Sequence, residues 1–519
     1  MPAKASVVAP ARSLLDHPLL QEGATRSRAA LHGRGTRLTV DGLAGRASAL
    51  AASIGRLGLR GVALHLDNGP DWVVIDLACQ AAGVVSIPLP TFFSSEQLRH
   101  VLDTMPLDAV FTDRPDALAP LCAGRLEGGP DFEPEFELRS AVLLRVDPPR
   151  DPVRLPPGTG KVTFTSGSTG RPKGVCLSQA QLFAQAEALA AAVGLTAPRH
   201  LCALPLSTLL ENVAGVYAPL LAGGAVIVPA LADLGFAGSS SLDPPTFLRS
   251  VAQAQPTSLI LTPQMLQLLV AAAHGGWQPP ATLAFVAVGG ARVPAGLVER
   301  AHALGIPAYE GYGLSECASV VSLNLPGAAL PGSCGRPLPH LGIEIVDREI
   351  QVTGNAMLGY AGEPQSWAPQ RIATGDLGAL DAAGYLRIDG RRKNLLISSF
   401  GRNISPEWVE SEVLADDALA ECVVFGDARP HCVALVSPRD PQLPDRAIQQ
   451  TIDRCNARLP DYARVLGWRR LSRPLAGDGE LLTDNLRPRR PAIAARYGDL
   501  LRDLYRDGPP ATASYARTA

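Results

Sequence analysis

From residue 62 onward, strand-like and helix-like patterns follow one another in strict turn. Apolar runs at 62–66, 84–87 and 109–112 alternate with helical periodicity at 72–82 and 94–105. In the second helix Ser94 and Gln97 have the spacing of a capping box. Parallel strands need crossover connections, usually helices, so strict alternation indicates a parallel sheet and the expected class is α/β with layered sheets and helices. The alternation resumes with a helix at 181–193, a strand at 258–262, a helix at 264–273 and a strand at 285–288. The chain has 519 residues, too many for one core, and its 46% hydrophobic content can fill several. Near residue 390 the composition turns charged and small elements follow, including a hairpin from 421–425 to 432–436. The expected division is a large N-terminal domain over 1–389 and a small α+β domain over 390–519. Residues 124–160, rich in Pro, Gly and acid, read as a connector, and the last dozen as disordered.

Composition narrows the function classes. A net charge of −2 gives no electrostatic footprint for nucleic acid. Nine cysteines without a Cys-x-x-Cys pair suit reduced thiols in a cytoplasm and argue against a zinc site. The first fifteen residues lack the apolar core of a signal peptide, and the most hydrophobic stretch, 213–230, is broken by Gly and Pro, so no transmembrane segment is expected. Nothing here indicates an oligomeric state. Lysine occurs only at Lys4, Lys161, Lys173 and Lys393 among 47 basic residues. Each therefore calls for an explanation, because arginine does not copy a compact ammonium.

Four constellations carry chemistry. Val162 and Phe164 close a strand, and Thr165, Ser166, Gly167, Ser168, Thr169 and Gly170 follow, with Lys173 three residues on. Backbone amides and hydroxyls in such a loop can wrap a polyphosphate and the ammonium can hold it. The spacing is not that of the P-loop NTPases, because Pro172 precedes the lysine and Gly174 follows it. Glu310, Gly311, Tyr312, Gly313, Leu314, Ser315 and Glu316 form the second group: glycines let backbone approach a flat ring, and a hydroxyl beside a carboxylate can serve a hard cation. Asp376, after Thr374 and Gly375, can accept from both hydroxyls of a ribose, and Arg391 can donate to them. The fourth runs from Gly390 through Lys393 to Gly401 and Pro406.

In this order and spacing the motifs resemble those of the adenylate-forming (ANL) superfamily, which includes acyl-CoA synthetases, nonribosomal adenylation domains and luciferases; similarity to long-chain fatty acyl-CoA synthetases extends over nearly the whole chain. The resemblance implies ATP, Mg2+ and CoA as reactants, with a small-molecule carboxylic acid activated as acyl-AMP and passed to a thiol. It implies that Lys173 and the loop hold phosphate, that Tyr312 stacks on adenine against Gly289, Gly290 and Ala291, and that Ser315 and Glu316 meet phosphate and magnesium. Asp376 and Arg391 are then the ribose clamp, Lys393 the hinge of a mobile C-terminal domain, and Gly401 part of the pantetheine tunnel. Arg487 falls where most members carry a catalytic lysine, and Gln179 and Thr208 fall where histidines are common. The 204–221 segment contains no aspartate to hold a substrate ammonium, which disfavours free amino acids. Leu209, Leu210, Val213, Val216 and Tyr217 read either as an apolar wall for a fatty or other hydrophobic acid or as plain core. A carrier-protein thiol as acceptor, and a silent nucleotide-binding relative, are the alternatives.

Overall fold

Short, mostly apolar runs become the centre of an eight-stranded sheet. Gly61–His65, Val85–Pro88, Ala109–Thr112 and Lys161–Thr165 lie side by side and parallel. Val62, Ile87, Val110 and Val162 are completely buried, as strands covered on both faces require. The computed structural model describes residues 13–17, 20, 26–121, 126–127, 138, 141–146, 149, 151–165, 172–237, 241–400, 402–475, 480–482 and 487–506. The loop residues Ser166, Gly167, Ser168, Thr169 and Gly170, together with Gly401 and the last dozen residues, lie outside them.

The sheet is not parallel throughout. Lys173–Leu177 and Gly359–Tyr360 extend one side antiparallel, and Val142–Val146 extends the other against Ala109–Thr112. Part of the stretch read as a connector thus joins the sheet, with Leu126–Glu127 pairing beyond Val142–Val146 at the edge. A five-residue run in Pro-rich surroundings carries too little periodicity to be recognised until its partner is known.

A second sheet of nine strands has Ala225–Ile227, Arg199–Leu201, Ser258–Leu261, Phe285–Val288 and Ala308–Leu314 parallel at its centre. Ser319–Leu323 returns antiparallel beside the last of these. Helix Pro70–Ala82 is apolar nearly all round and buried on every side, with Trp72, Ile75 and Leu77 almost without exposure. Helix Gln179–Val193 starts at a capping box formed by Ser178 and Gln181, and the expected Ser94–Gln97 box is present at Ser95–Thr104.

One buried cation ties these layers together. Lys161 is 1% exposed; its Nζ lies 2.7 Å from Asp76 Oδ1 and donates to Asn212 Oδ1 at 2.5 Å and to the Tyr217 hydroxyl at 2.9 Å. The Tyr217 hydroxyl in turn donates to Asp76 Oδ2.

A four-stranded antiparallel sheet, Gly342–Val346, Glu349–Thr353, Ile372–Leu380 and Leu386–Arg391, precedes the C-terminal part. There Leu419–Phe425 pairs antiparallel with Cys432–Pro438, the expected hairpin, and Val465–Arg470 joins in parallel. Two apolar clusters are drawn entirely from residues after Lys393, one around Val409, Val424 and Ile452, the other around Leu435, Leu475 and Ile493. The architecture is therefore a large α/β N-terminal part followed by a small α+β C-terminal one. Among the described residues no helix is long and apolar enough to cross a membrane.

Candidate active site

The antiparallel pairing of Lys161–Thr165 with Lys173–Leu177 sets Thr165 directly opposite Lys173 at the loop end of a hairpin. The Lys173 ammonium lies 2.9 Å from Glu363 Oε1 and 4.7 Å above the ring of Tyr360. On its other side Tyr360 donates its hydroxyl to Glu316 Oε1 at 2.9 Å. Burial, then the Glu316 charge, pushes the Tyr360 hydroxyl well above its ordinary pKa. Tyr360 and Glu363 escape sequence reasoning, since only the pairing of Gly359–Tyr360 with Cys176 and Val175 brings them here.

Strand Ala308–Leu314 supplies Tyr312 and Gly313, and the tight turn Ser315–Cys317 supplies Ser315 and Glu316. Gly313 is obligatory, because a Cβ there would lie 1.8 Å from the Ser319 carbonyl oxygen. Tyr312 donates its hydroxyl to Asp376 Oδ2 at 2.7 Å, and Arg391 Nε lies 2.8 Å from Asp376 Oδ1. The last two residues are cross-strand partners between Ile372–Leu380 and Leu386–Arg391, so sheet register makes the pair. Gly289, Gly290 and Ala291 follow strand Phe285–Val288. Gly290 takes φ +83°, a left-handed conformation suited to glycine, and its carbonyl accepts from the guanidinium of Arg487.

Arg487 thus reaches from the C-terminal part to the wall beside Tyr312. Burial lowers the Lys393 pKa first, and then the positive charges of Arg391 and Arg487 lower it further. Arg487 is lowered in the same way by its surroundings and by Arg391, while Asp376 and Glu407 oppose the shift. Three cations therefore converge beside Asp376, and an anion placed among them would relieve their mutual repulsion. Glu407 is a further member that sequence reasoning does not supply.

An apolar cavity of about 580 Å³, open mouth included, lies on the face of the nine-stranded sheet, walled by Leu189 and Val193, by Ile260, and by Phe285 and Ala287. The helix that closes it runs from Glu211–Tyr217, with π-type turns, into Ala218–Leu221. It presents Leu210, Ala214 and Ala218 to the cavity. Of the expected wall Leu210 is among the lining residues; Leu209, Val213, Val216 and Tyr217 are buried in the core, Tyr217 with its hydroxyl on Lys161. Gln179 caps inward onto the Gln80 carbonyl at 3.1 Å, and Thr208 donates to the Pro205 carbonyl. Asn68, also unforeseen, holds the approach to this helix by donating to Leu204 O and accepting from Leu206 N, both at 2.8 Å.

The sequence profile described as AMP-binding enzyme matches residues 21–361, and that described as AMP-binding enzyme C-terminal domain matches 393–508. A feruloyl-CoA synthase of Amycolatopsis sp is 32% identical over 428 residues, covering 76% of this chain and 81% of that one. An indoleacetate–CoA ligase of Aromatoleum aromaticum is 29% identical over 422 residues, covering 74% and 79%. Among solved structures, the anthranilate CoA ligase AuaEII in complex with anthranoyl-AMP superposes with a TM-score of 0.77 at 18% identity, covering 95% of this chain and 99% of that one. That likeness is one of fold.

Proposed function

Because the chain belongs to the AMP-binding enzyme family, we propose that it is an AMP-forming acid–thiol ligase that activates a hydrophobic carboxylic acid with ATP and delivers it to CoA. The observation that carries this reading is the convergence of Arg391, Lys393 and Arg487 beside the Tyr312–Asp376 pair, a site for a nucleotide's sugar and phosphate. Its relatives act, by name, on feruloyl and indoleacetate groups, and the apolar cavity suits acids of that kind or fatty acids.

In the first half-reaction a carboxylate oxygen of the acid bonds to the α-phosphorus of ATP and the bond to the β-phosphate oxygen breaks, releasing pyrophosphate. No general base is needed, since the carboxylate is already ionised. Lys173 and Arg487 orient and offset the phosphate charge, the latter through a fork of donors. Asp376 and Arg391 hold the ribose, and Tyr312 flanks the base. Glu316, whose Oε1 accepts from Tyr360, would hold the Mg2+ that accompanies ATP, which would disperse phosphate charge. In the second half-reaction the thiol sulfur bonds to the acyl carbon, AMP departs, and the thiol proton passes to solvent. The C-terminal part turns about Lys393 between the steps, bringing Gly401 to the thiol's path.

The test is release of pyrophosphate from ATP with a panel of aryl and fatty acids, with and without CoA. Acid-dependent pyrophosphate with CoA-dependent thioester supports the reading. Turnover only with holo-carrier protein would reassign the acceptor, and nucleotide binding without pyrophosphate would make the chain a silent relative.

A further inference from the structure

The apolar cavity carries one polar spot. Among its lining residues only His200 and Ser258 have polar side chains, and they are cross-strand partners of Arg199–Leu201 and Ser258–Leu261. His200 Nδ1 lies 2.9 Å from Ser258 Oγ, and its Nε2 lies 3.0 Å from Glu211 Oε1. Glu211 has no exposure, and burial raises its pKa while His200 opposes the shift. Room for the pair is made by a missing side chain: a Cβ at Gly215 would lie 2.5 Å from Glu211 Oε1 and 2.8 Å from His200 Nε2. Cys202 is also near, but burial holds its thiol well above the ordinary pKa, so the trio does not read as a cation site.

A buried Glu–His–Ser chain is costly to keep beside an otherwise apolar cavity. Isolated polar groups in such walls orient and select ligands. Its depth is set by register. Ser258 pairs with Phe285, and Gly289 stands four residues further along that strand's direction, a separation of about 13 Å at ~3.3 Å per residue.

Resting on the acid-activating reading above, we propose that the preferred acid is an elongated apolar carboxylic acid bearing a hydroxyl or carbonyl oxygen near its far end, hydrogen-bonded by Ser258. His200 and Glu211 are positioning residues that fix the Ser258 hydroxyl. An acid ending in a plain alkyl group strips water from this spot and returns no hydrogen bond, a disadvantage of about tenfold or more.

The experiment measures kcat/KM for pyrophosphate release by the full chain with saturated acids of increasing length, their ω-hydroxy derivatives and their ω-oxo derivatives. The wild type should favour an oxygenated acid over the alkyl acid of equal length by at least about tenfold at some length, and the two oxygenated series distinguish donor from acceptor. Ser258→Ala should cut that ratio about tenfold, and Glu211→Gln should lower it while the KM for ATP stays constant. A ratio at or below one at every length, with alkyl acids turned over, overturns this proposal and leaves the ligase reading standing; so does an unchanged ratio in a folded Ser258→Ala. Absence of pyrophosphate with every acid overturns both. The wild-type ratio decides the matter even where a variant does not fold.

Discussion

At position 487 an arginine stands where the family resemblance leads one to expect a lysine, and its guanidinium donates to the Gly290 carbonyl. A planar fork can grip two phosphate oxygens where an ammonium meets one charge at a point. Arg487→Ala is expected to cut pyrophosphate release at least about tenfold, or ~1.4 kcal/mol in the barrier, with little change in the KM for ATP. Unaltered release would remove Arg487 from the first half-reaction. A second prediction concerns Glu310, whose carboxyl, 3.5 Å from Cys334 Sγ, is pushed up to about 7 by burial. Between pH 4.5 and 7 the folded protein keeps a proton that the unfolded chain has lost. Its contribution is therefore complete below the unfolded pKa and is lost as pH rises through 7, about 3 kcal/mol in all. Melting curves across that range should show Glu310→Gln gaining on the wild type as pH rises; parallel curves would refute the assignment. At this scale the residues bearing rare chemistry are legible, because Asp376, Arg391, Tyr312 and Glu316 sit in spaced motifs. Tyr360, Glu363 and Glu407 are not, since each owes its place to a fold contact between segments far apart in the chain.

The buried ammonium of Lys161 shows how single elements are locked. It joins strand Lys161–Thr165 to helix Pro70–Ala82 through Asp76 and to the cavity helix through Asn212 and Tyr217, and it lies 5.7 Å from the ring centre of Trp72. Lys161→Met leaves Asp76 buried and unpaired, a loss of about 3–5 kcal/mol. The melting temperature should fall by several degrees, and adding Asp76→Asn should restore part of it. If the double variant melts no higher than the single, the charge pairing is not what holds these elements. Scarcity of lysine in the sequence marks Lys161 as unusual, though not as a buried tie. Strands and helices with full periodicity are legible to within a residue or two, as Ala109–Thr112 and Phe285–Val288 show. The cavity helix is harder. Residues 209, 213 and 217 and residues 210, 214 and 218 form adjacent apolar rows, and its π-type turns remove the regular pitch that would choose between them.

Across the whole molecule, the C-terminal part is seated by contacts that a sequence cannot display, because two of the three acceptors are backbone carbonyls. Helix Pro406–Leu414 ends with carbonyls left over from its last turn. Gln267 donates to Leu414 O at 3.0 Å and to Asp417 Oδ1 at 3.1 Å, and Arg300 donates to Ala415 O at 2.8 Å. These donors come from two helices of the N-terminal part, Pro263–His274 and Ala295–Ala303, and they hold the orientation in which Arg487 meets Gly290. If the C-terminal part turns about Lys393 as proposed, three such bonds at about 0.5–1.5 kcal/mol each favour the orientation proposed for acyl-adenylate formation. The double variant Gln267→Ala, Arg300→Ala should therefore slow pyrophosphate release by about tenfold. Thioester formation from supplied acyl-adenylate and CoA, which calls for the other orientation, should be as fast as in the wild type or faster. Equal losses in both half-reactions would mean that these side chains support folding alone, and no loss in either would mean that Arg487 finds its place without them.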